Sequence, residues 1–266
     1  MPTPLRCALW ALGWLVGAGV QAAACVKSLR WSDMPPYAFK DPQGTIQGLH
    51  VDLAREALKR VGCDARLVEM PWARALMELE RGRLDLLPGA ADTPERAAFA
   101  FFSRPTNSAR TVLFVARKTR HQYRLNTLAD IMGTDFRLAV RRGSTYGAEY
   151  DALLPNPEFV KRLTFVTAPQ SGMRMMAAGR VDGHLGDELA GLHTIQTLGL
   201  SDAIQRSKLV TSKDADHIAF SKVTHDAAFV QRFNAALGRM VEDGTTKRLL
   251  ERYLPCPVSV EKLGCQ

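Results

Sequence analysis

Apolar positions recur at helical spacing between residues 49 and 61, where Leu49, Leu53, Ala57 and Leu58 share one face, and this stretch predicts an amphipathic helix. Shorter apolar runs at 26–31 and 65–69 predict strands on either side, and the pattern at 71–81 predicts a second helix. With a buried strand at 84–87, these elements make a β-α-β-α-β lobe. The same grammar returns downstream as strand 136–141, helix 146–154, strand 163–167, helix 169–178, strand 181–185 and helix 188–198. Between the two series lies the β-prone Thr111-Val112-Leu113-Phe114-Val115-Ala116, and after the second comes Asp216-His217-Ile218-Ala219-Phe220-Ser221. Each suits an extended crossing between lobes. Helices at about 227–242 and 246–254 would then pack back on the first lobe. The expected fold is α/β, with residues 25–113 and 217–266 forming one lobe, 114–216 the other, and two crossover segments acting as a hinge. Open parallel sheets bind ligands beyond the carboxyl ends of their strands, so both lobes would present loops to a shared cleft.

The N-terminus places this architecture outside the cytoplasm. Arg6 precedes an apolar run at 7–20 that is too short to span a bilayer comfortably, and Gln21-Ala22-Ala23-Ala24 supplies small residues for cleavage. Residues 1–24 therefore read as a secretory signal peptide, and every later apolar run falls short of the roughly 20 residues a membrane helix needs. Cys7 leaves with the signal, and the four remaining cysteines favour disulfides over metal in an oxidising compartment. Cys25 opens the first strand and Cys63 precedes the second, so parallel neighbouring strands would start with their thiols side by side. Cys256 and Cys265 would close a short C-terminal loop. A rival reading lipidates Cys25 as the mature N-terminus, although Ala22 stands where lipoprotein signals usually carry Leu. The formal net charge of +8 drops to +7 without Arg6, and its Lys and Arg are scattered through amphipathic segments. Neither a basic block nor an aromatic repeat marks a nucleic-acid reader, so no nucleic-acid partner is expected.

The run Leu84-Asp85-Leu86-Leu87-Pro88-Gly89-Ala90-Ala91-Asp92-Thr93-Pro94-Glu95-Arg96 carries the clearest chemistry. The strand is expected to give way to a glycine turn, with Thr93 as helix cap and Pro94 as the first helical residue. Arg96 then sits in the first helical turn, where the dipole is positive and an unpartnered arginine costs roughly 0.3 to 1 kcal/mol. With a carboxylate ligand, guanidinium and free backbone N–H groups act together. The alternative is a surface arginine paired with Glu95 or Asp92.

Over nearly the whole mature chain the sequence resembles the periplasmic solute-binding proteins of the polar amino acid uptake type, solute-binding family 3. The resemblance is carried by Pro35-Pro36-Tyr37, Gly44 and Gly48, Val51-Asp52-Leu53, Gly82-Arg83-Leu84-Asp85, Thr93-Pro94-Glu95-Arg96 and Phe102-Ser103-Arg104-Pro105. Gly143-Ser144-Thr145 and Gly179-Arg180-Val181-Asp182 before Asp187 complete it. It implies a two-lobed periplasmic-binding-protein fold of type II, a small-molecule ligand such as an amino acid or related carboxylate, and no cofactor. Arg96 would grip the ligand α-carboxylate with its planar fork. Ser144 and Thr145 match the donors of the opposite lobe, or simply cap the helix that follows. Asp187 matches the family's α-ammonium-binding carboxylate and is also an ideal N-cap for the helix at Glu188. Tyr37 and Trp72 would form apolar walls, or belong to the core. Ala91 replaces a hydroxyl common in this family, leaving its backbone N–H to serve, and Gly89 can offer its carbonyl to an ammonium. The helix at Pro71-Trp72-Ala73-Arg74 would bring Arg74 near the cleft and favour an acidic side chain.

The resemblance also implies ligand-linked closure of a monomer, recognised by the permease of an ABC transporter or by a membrane sensor. The chain itself has no phosphate-binding loop for ATP. Gly143-Ser144-Thr145-Tyr146-Gly147 carries Thr where a nucleophile elbow needs Ser. The six histidines include no metal-ligand spacing and most read as surface or packing residues, so no metal site is expected. Related cyclohexadienyl dehydratases use cleft carboxylates as acids, a role open to Glu188 or Asp187, but the expected function is binding rather than catalysis.

Overall fold

The computed structural model describes residues 25–266; the expected signal peptide, with Cys7, lies outside the described residues. The chain opens with strand β1 (Cys25–Trp31) and a hairpin of β2 (Phe39–Lys40) and β3 (Ile46–Gln47), followed by α1 (Leu49–Arg60), β4 (Cys63–Glu69) and α2 (Trp72–Glu80). Strand β5 (Leu86–Ala90), the short helix α3 (Pro94–Ala97), β6 (Ala100–Phe102) and β7 (Asn107–Ala116) come next. A 3-10 turn at Ala129–Ile131 leads to β8 (Leu138–Arg141), α4 (Ala148–Leu153), α5 (Pro157–Val160), β9 (Leu163–Val166) and α6 (Pro169–Ala177). After β10 (Gly183–Asp187), α7 (Glu188–Thr197) and the 18-residue β11 (Ile204–Ser221), the chain ends in α8 (Ala227–Glu242), α9 (Thr245–Tyr253), β12 (Val258–Ser259) and β13 (Gly264–Cys265).

The main sheet runs β4-β1-β5-β11-β7-β10-β8-β9, with β6 paired to β11. Pairing of β1 with β4 and β5, and of β8 with β9 and β10, is parallel. β7 and β11 are the exceptions: β7 runs antiparallel to β10 over Thr111–Val115, and β11 runs antiparallel to β7 over Ile204–Asp216 and then to β5 and β6 over His217–Ser221. One strand thus carries the chain from one parallel set to the other, and the segment expected at 216–221 is only its last third. The polar run Gln205-Arg206-Ser207-Lys208 hid its start.

Each parallel set has its own core. Leu29, Leu49, Leu53, Leu58, Leu86, Phe220, Phe233 and Met240 pack together around the first. In the second set the strands' period of two divides their side chains between faces. Leu113, Leu138, Val140 and Leu185 meet Phe136, Tyr150 and Phe159 on one side, whereas Val112, Phe114 and Ala139 meet Met173, Met176 and Ile195 on the other. Each fully buried side chain of this kind contributes about 1.5–3 kcal/mol of apolar transfer.

Both expected disulfides form. Cys25 and Cys63 face each other at the start of the β1–β4 pair, and Cys256 joins Cys265 across the terminal hairpin. With its sulfur in a disulfide, Cys25 has no thiol left to carry a lipid.

Several boundaries depart from expectation, two of them beside the cleft. The strand placed at 84–87 instead runs Leu86–Ala90, because the Asp85 carboxylate accepts from the Ser28 backbone N–H (2.8 Å) and hydroxyl (2.7 Å) while the ladder to β11 continues through Pro88 and Ala90. Gly89 is therefore not a turn residue. It is a bulge at φ +73°, the register shifting between His217 and Ile218 opposite it. The strand expected at 181–185 lies two residues later, at Gly183–Asp187, which puts Asp187 at its end. β6 and the short terminal pairs carried no apolar pattern long enough to read.

Candidate ligand-binding cleft

Tyr37, Trp72, Gly89, Ala91, Arg96, Ser144, Thr145 and Asp187 all line one cavity. They arrive from the turn between β1 and β2, the ends of β5 and β10, the first turns of α2 and α3, and the loop after β8. Hydrogen bonds cross the cavity mouth: the Trp72 indole N–H donates to the Gly143 carbonyl at 3.0 Å, and Gln170 donates to the Asp33 carbonyl at 2.8 Å. Arg74, expected near the cleft, is not among the lining residues; its charge instead acts on Glu78 of its own helix.

One wall is cationic. Thr93 caps α3 by accepting from the Arg96 backbone N–H, and the guanidinium of the buried Arg96 donates to the carbonyls of Ala91 (3.0 Å) and Gly143 (3.2 Å). Glu95 and Asp92 form no ion pair with it. Arg141, at the end of β8, lays its guanidinium 4.6 Å from the Trp72 ring centre, with Arg96 at 5.7 Å and Arg30 at 5.5 Å. An indole face attracts cations, so Trp72 holds three guanidinium groups that repel one another. Burial, followed by the charge of Arg141, lowers Arg96 and brings Arg30 down to about 9, and burial lowers Arg141 itself.

The opposite wall is acidic and internally bonded. Asp187 caps α7, accepting from the Ala190 backbone N–H at 2.8 Å, and also accepts from the Tyr37 hydroxyl at 3.1 Å. Capping and cleft lining thus coexist in one carboxylate. Burial first, then the nearby Asp216, push its pKa up to about 6. Tyr37 stacks on His50 with ring centres 4.6 Å apart, and His50 Nε2 lies 2.9 Å from Asn107 Oδ1 and 3.5 Å from Asp216 Oδ2. Asn107 donates to that same Asp216 oxygen at 2.8 Å. A Cβ at Gly89 would stand 2.7 Å from the His50 ring, so this position needs glycine for space as well as for its φ.

The hydroxyls between the walls differ. Ser144 Oγ accepts from Arg141 Nε at 2.7 Å, leaving its own proton to donate. Thr145 Oγ1 instead donates to the Asp151 carboxylate (2.6 Å to Oδ2), so its hydroxyl proton is committed to α4. His184, also in the lining, is lowered to about 4 by burial and is neutral at pH 7, with Nδ1 beside the Ala139 carbonyl.

Sequence reasoning missed Arg141, Asp216, His50 and His184; it reads most histidines as surface or packing residues, and these two line the cavity. Arg141 reads as the polar end of a strand and Asp216 as part of a crossing. The one signal available was the double arginine, Arg141-Arg142, directly before Gly143-Ser144-Thr145. Among the described residues no group of three His, Cys, Asp or Glu is arranged to hold a metal ion.

Two parallel α/β sets sharing an antiparallel strand, with a polar cavity at their strand ends, define a protein built to enclose a small polar solute. The family model for bacterial extracellular solute-binding proteins, family 3, matches residues 31–255, and the chain belongs to that family. It is 25% identical over 226 residues to the L-cystine-binding protein TcyJ of Escherichia coli strain K12, covering 85% of this chain and 80% of the relative. To the lysine/arginine/ornithine-binding periplasmic protein of the same strain it is 26% identical over 263 residues, covering 94% and 97%. In structure it resembles an ancestral arginine-binding protein bound to glutamine, with a TM-score of 0.74 at 22% identity over 86% of this chain and 97% of that one. The last likeness shows the type II fold.

Proposed function

We propose that this solute-binding protein captures an amino acid or closely related carboxylate in the periplasm by closing two lobes on it, and delivers it to the permease of an ABC transporter. The lobes are residues 25–113 with 217–266, and 114–216, hinged on β7 and β11. The observation that carries the reading is that Arg96 and Asp187, one from each lobe, line one cavity, a cation and an anion matched to a zwitterion. Arg96 takes the α-carboxylate, and the Gly89 carbonyl and Asp187 take the ammonium. Ala91 contributes its backbone N–H, Ser144 and the backbone of Thr145 add donors, and Tyr37 and Trp72 shape the walls. Contacts such as Trp72 to Gly143 exist only when the two sets meet, so ligand that completes them stabilises the closed form. The relatives named for periplasmic amino acid binding support the location, as do the two disulfides. The protein acts as a monomeric binder, not an enzyme: Glu188, the other candidate acid, is held by Arg110 at 3.3 Å and by Arg206.

Thermal-shift screening of residues 25–266 against amino acids and small carboxylates tests the reading. A ligand at about 100 times its Kd adds roughly 2.7 kcal/mol to stability. At least one amino acid should produce such a shift; none doing so, across all twenty, overturns the reading.

A further inference from the structure

Arg141 has no counterpart in the zwitterion scheme. Arg96 accounts for an α-carboxylate, and Asp187 for an ammonium, which leaves a second guanidinium in the cavity wall. Its hydrogen-bond partners are the Ser144 hydroxyl and, at 3.8 Å, the Met34 sulfur. Among the described residues neither Arg96 nor Arg141 forms an ion pair. The cavity's own carboxylates are already engaged, Asp187 by Tyr37 and Ala190, and Asp216 by Asn107 and His50.

A guanidinium enclosed with no carboxylate in contact is costly even with Asp216 and Asp187 acting on it at longer range, and this one lies on the same indole as Arg96, whose pKa it lowers. The two arginines come from different elements, Arg96 from α3 and Arg141 from the end of β8. Closing the cleft therefore brings like charges together on Trp72. A ligand with one carboxylate offsets part of that repulsion, and a ligand with two offsets more of it and ties the two elements to each other.

We propose that the solute is an amino dicarboxylate, its second acid group held by Arg141. This rests on the solute-capture reading above and gives that site its substrate class. Selectivity arises at closure, because an amide in place of the second acid leaves the Arg141 charge enclosed with no anion in contact. Truncating one partner of such a buried pair commonly weakens binding by about 100-fold.

Calorimetric titration with L-aspartate, L-glutamate, L-asparagine and L-glutamine tests the proposal on the unmodified protein. At least one acid should bind about 100-fold more tightly than its own amide. The Arg141→Met variant should lose that preference, its acid and amide affinities coming to within about threefold of each other. Amides binding as tightly as acids, neutral amino acids binding where neither acid does, or a preference unchanged in Arg141→Met would each overturn the proposal and leave solute capture standing. No binding by any amino acid would instead remove the capture reading beneath it. The acid-to-amide ratio of the unmodified protein decides the matter even if the variant does not fold.

Discussion

The two walls of the cleft are satisfied to different degrees. On the acidic side Asp187, Tyr37, His50, Asn107 and Asp216 form a connected set of hydrogen bonds and stacking contacts. On the cationic side Arg96 and Arg141 meet carbonyls, a hydroxyl, a thioether and the face of Trp72, but no carboxylate. Hydrogen bonds within the protein set the geometry of the first wall in advance, whereas the second holds charge in reserve. Preorganisation of one side lowers the ordering cost of binding, and unspent charge on the other is where ligand adds most. Affinity should therefore be more sensitive to the cationic wall, and unliganded stability to the acidic one.

The largest effect expected is from Arg96→Ala. Losing the fork should weaken amino acid binding by about 4 kcal/mol, near a thousandfold in Kd, with the unliganded melting temperature nearly unchanged; calorimetry and a thermal melt read the two. Retained affinity would mean that the carboxylate binds elsewhere.

Asp187→Asn should cost less, about 2–3 kcal/mol of affinity, since Asn caps α7 about as well and Tyr37 and the Gly89 carbonyl remain. Its signature lies in pH. The carboxyl is raised from its ordinary 3.8 to about 6 in the folded protein, so between those values the folded state binds more protons than the unfolded one. Stability contributed by this group is present below about pH 4 and is lost as pH rises through about 6. Wild-type melts across this window should fall relative to Asp187→Asn, whereas affinity for an ammonium should rise over the same range as the carboxylate ionises. An identical pH dependence in the two proteins would separate Asp187 from the site.

Removing the Cys256–Cys265 bridge by paired serine substitution should leave affinity unaltered, because it lies outside both walls. A loop of nine residues predicts a stability loss of about 2–3 kcal/mol, against about 4 kcal/mol for the 38-residue span of Cys25–Cys63. Chemical denaturation of the two double variants gives the order, and a change in ligand affinity in the first would show coupling that the geometry does not explain.

Local pattern made most of the framework legible. α1, α2, α6, α7, α8 and α9 fall within a residue or two of expectation because their apolar faces are continuous in sequence. Thr93-Pro94 located α3 through capping chemistry alone, and Arg96 with it. Gly89 misled because a bulge and a turn both call for positive φ, and only the partner strand distinguishes them. The cleft residues that a family motif carries were readable. Those whose meaning depends on a distant partner were not: His50 meets Asn107 fifty-seven positions away, and Arg141 acquires its role from Trp72 and Met34 on other elements. A strand-end arginine and a half-buried one have the same local pattern.

The central claim is that Arg96 and Asp187 grip the two ends of one solute, and a single calorimetric series addresses it. Once screening has identified an amino acid ligand, the protein is titrated with that amino acid, with its α-amide and with its deaminated analogue. Loss of either end should weaken binding by at least about 100-fold. Undiminished affinity for both altered compounds would contradict the account, because the solute would then be held by neither anchor.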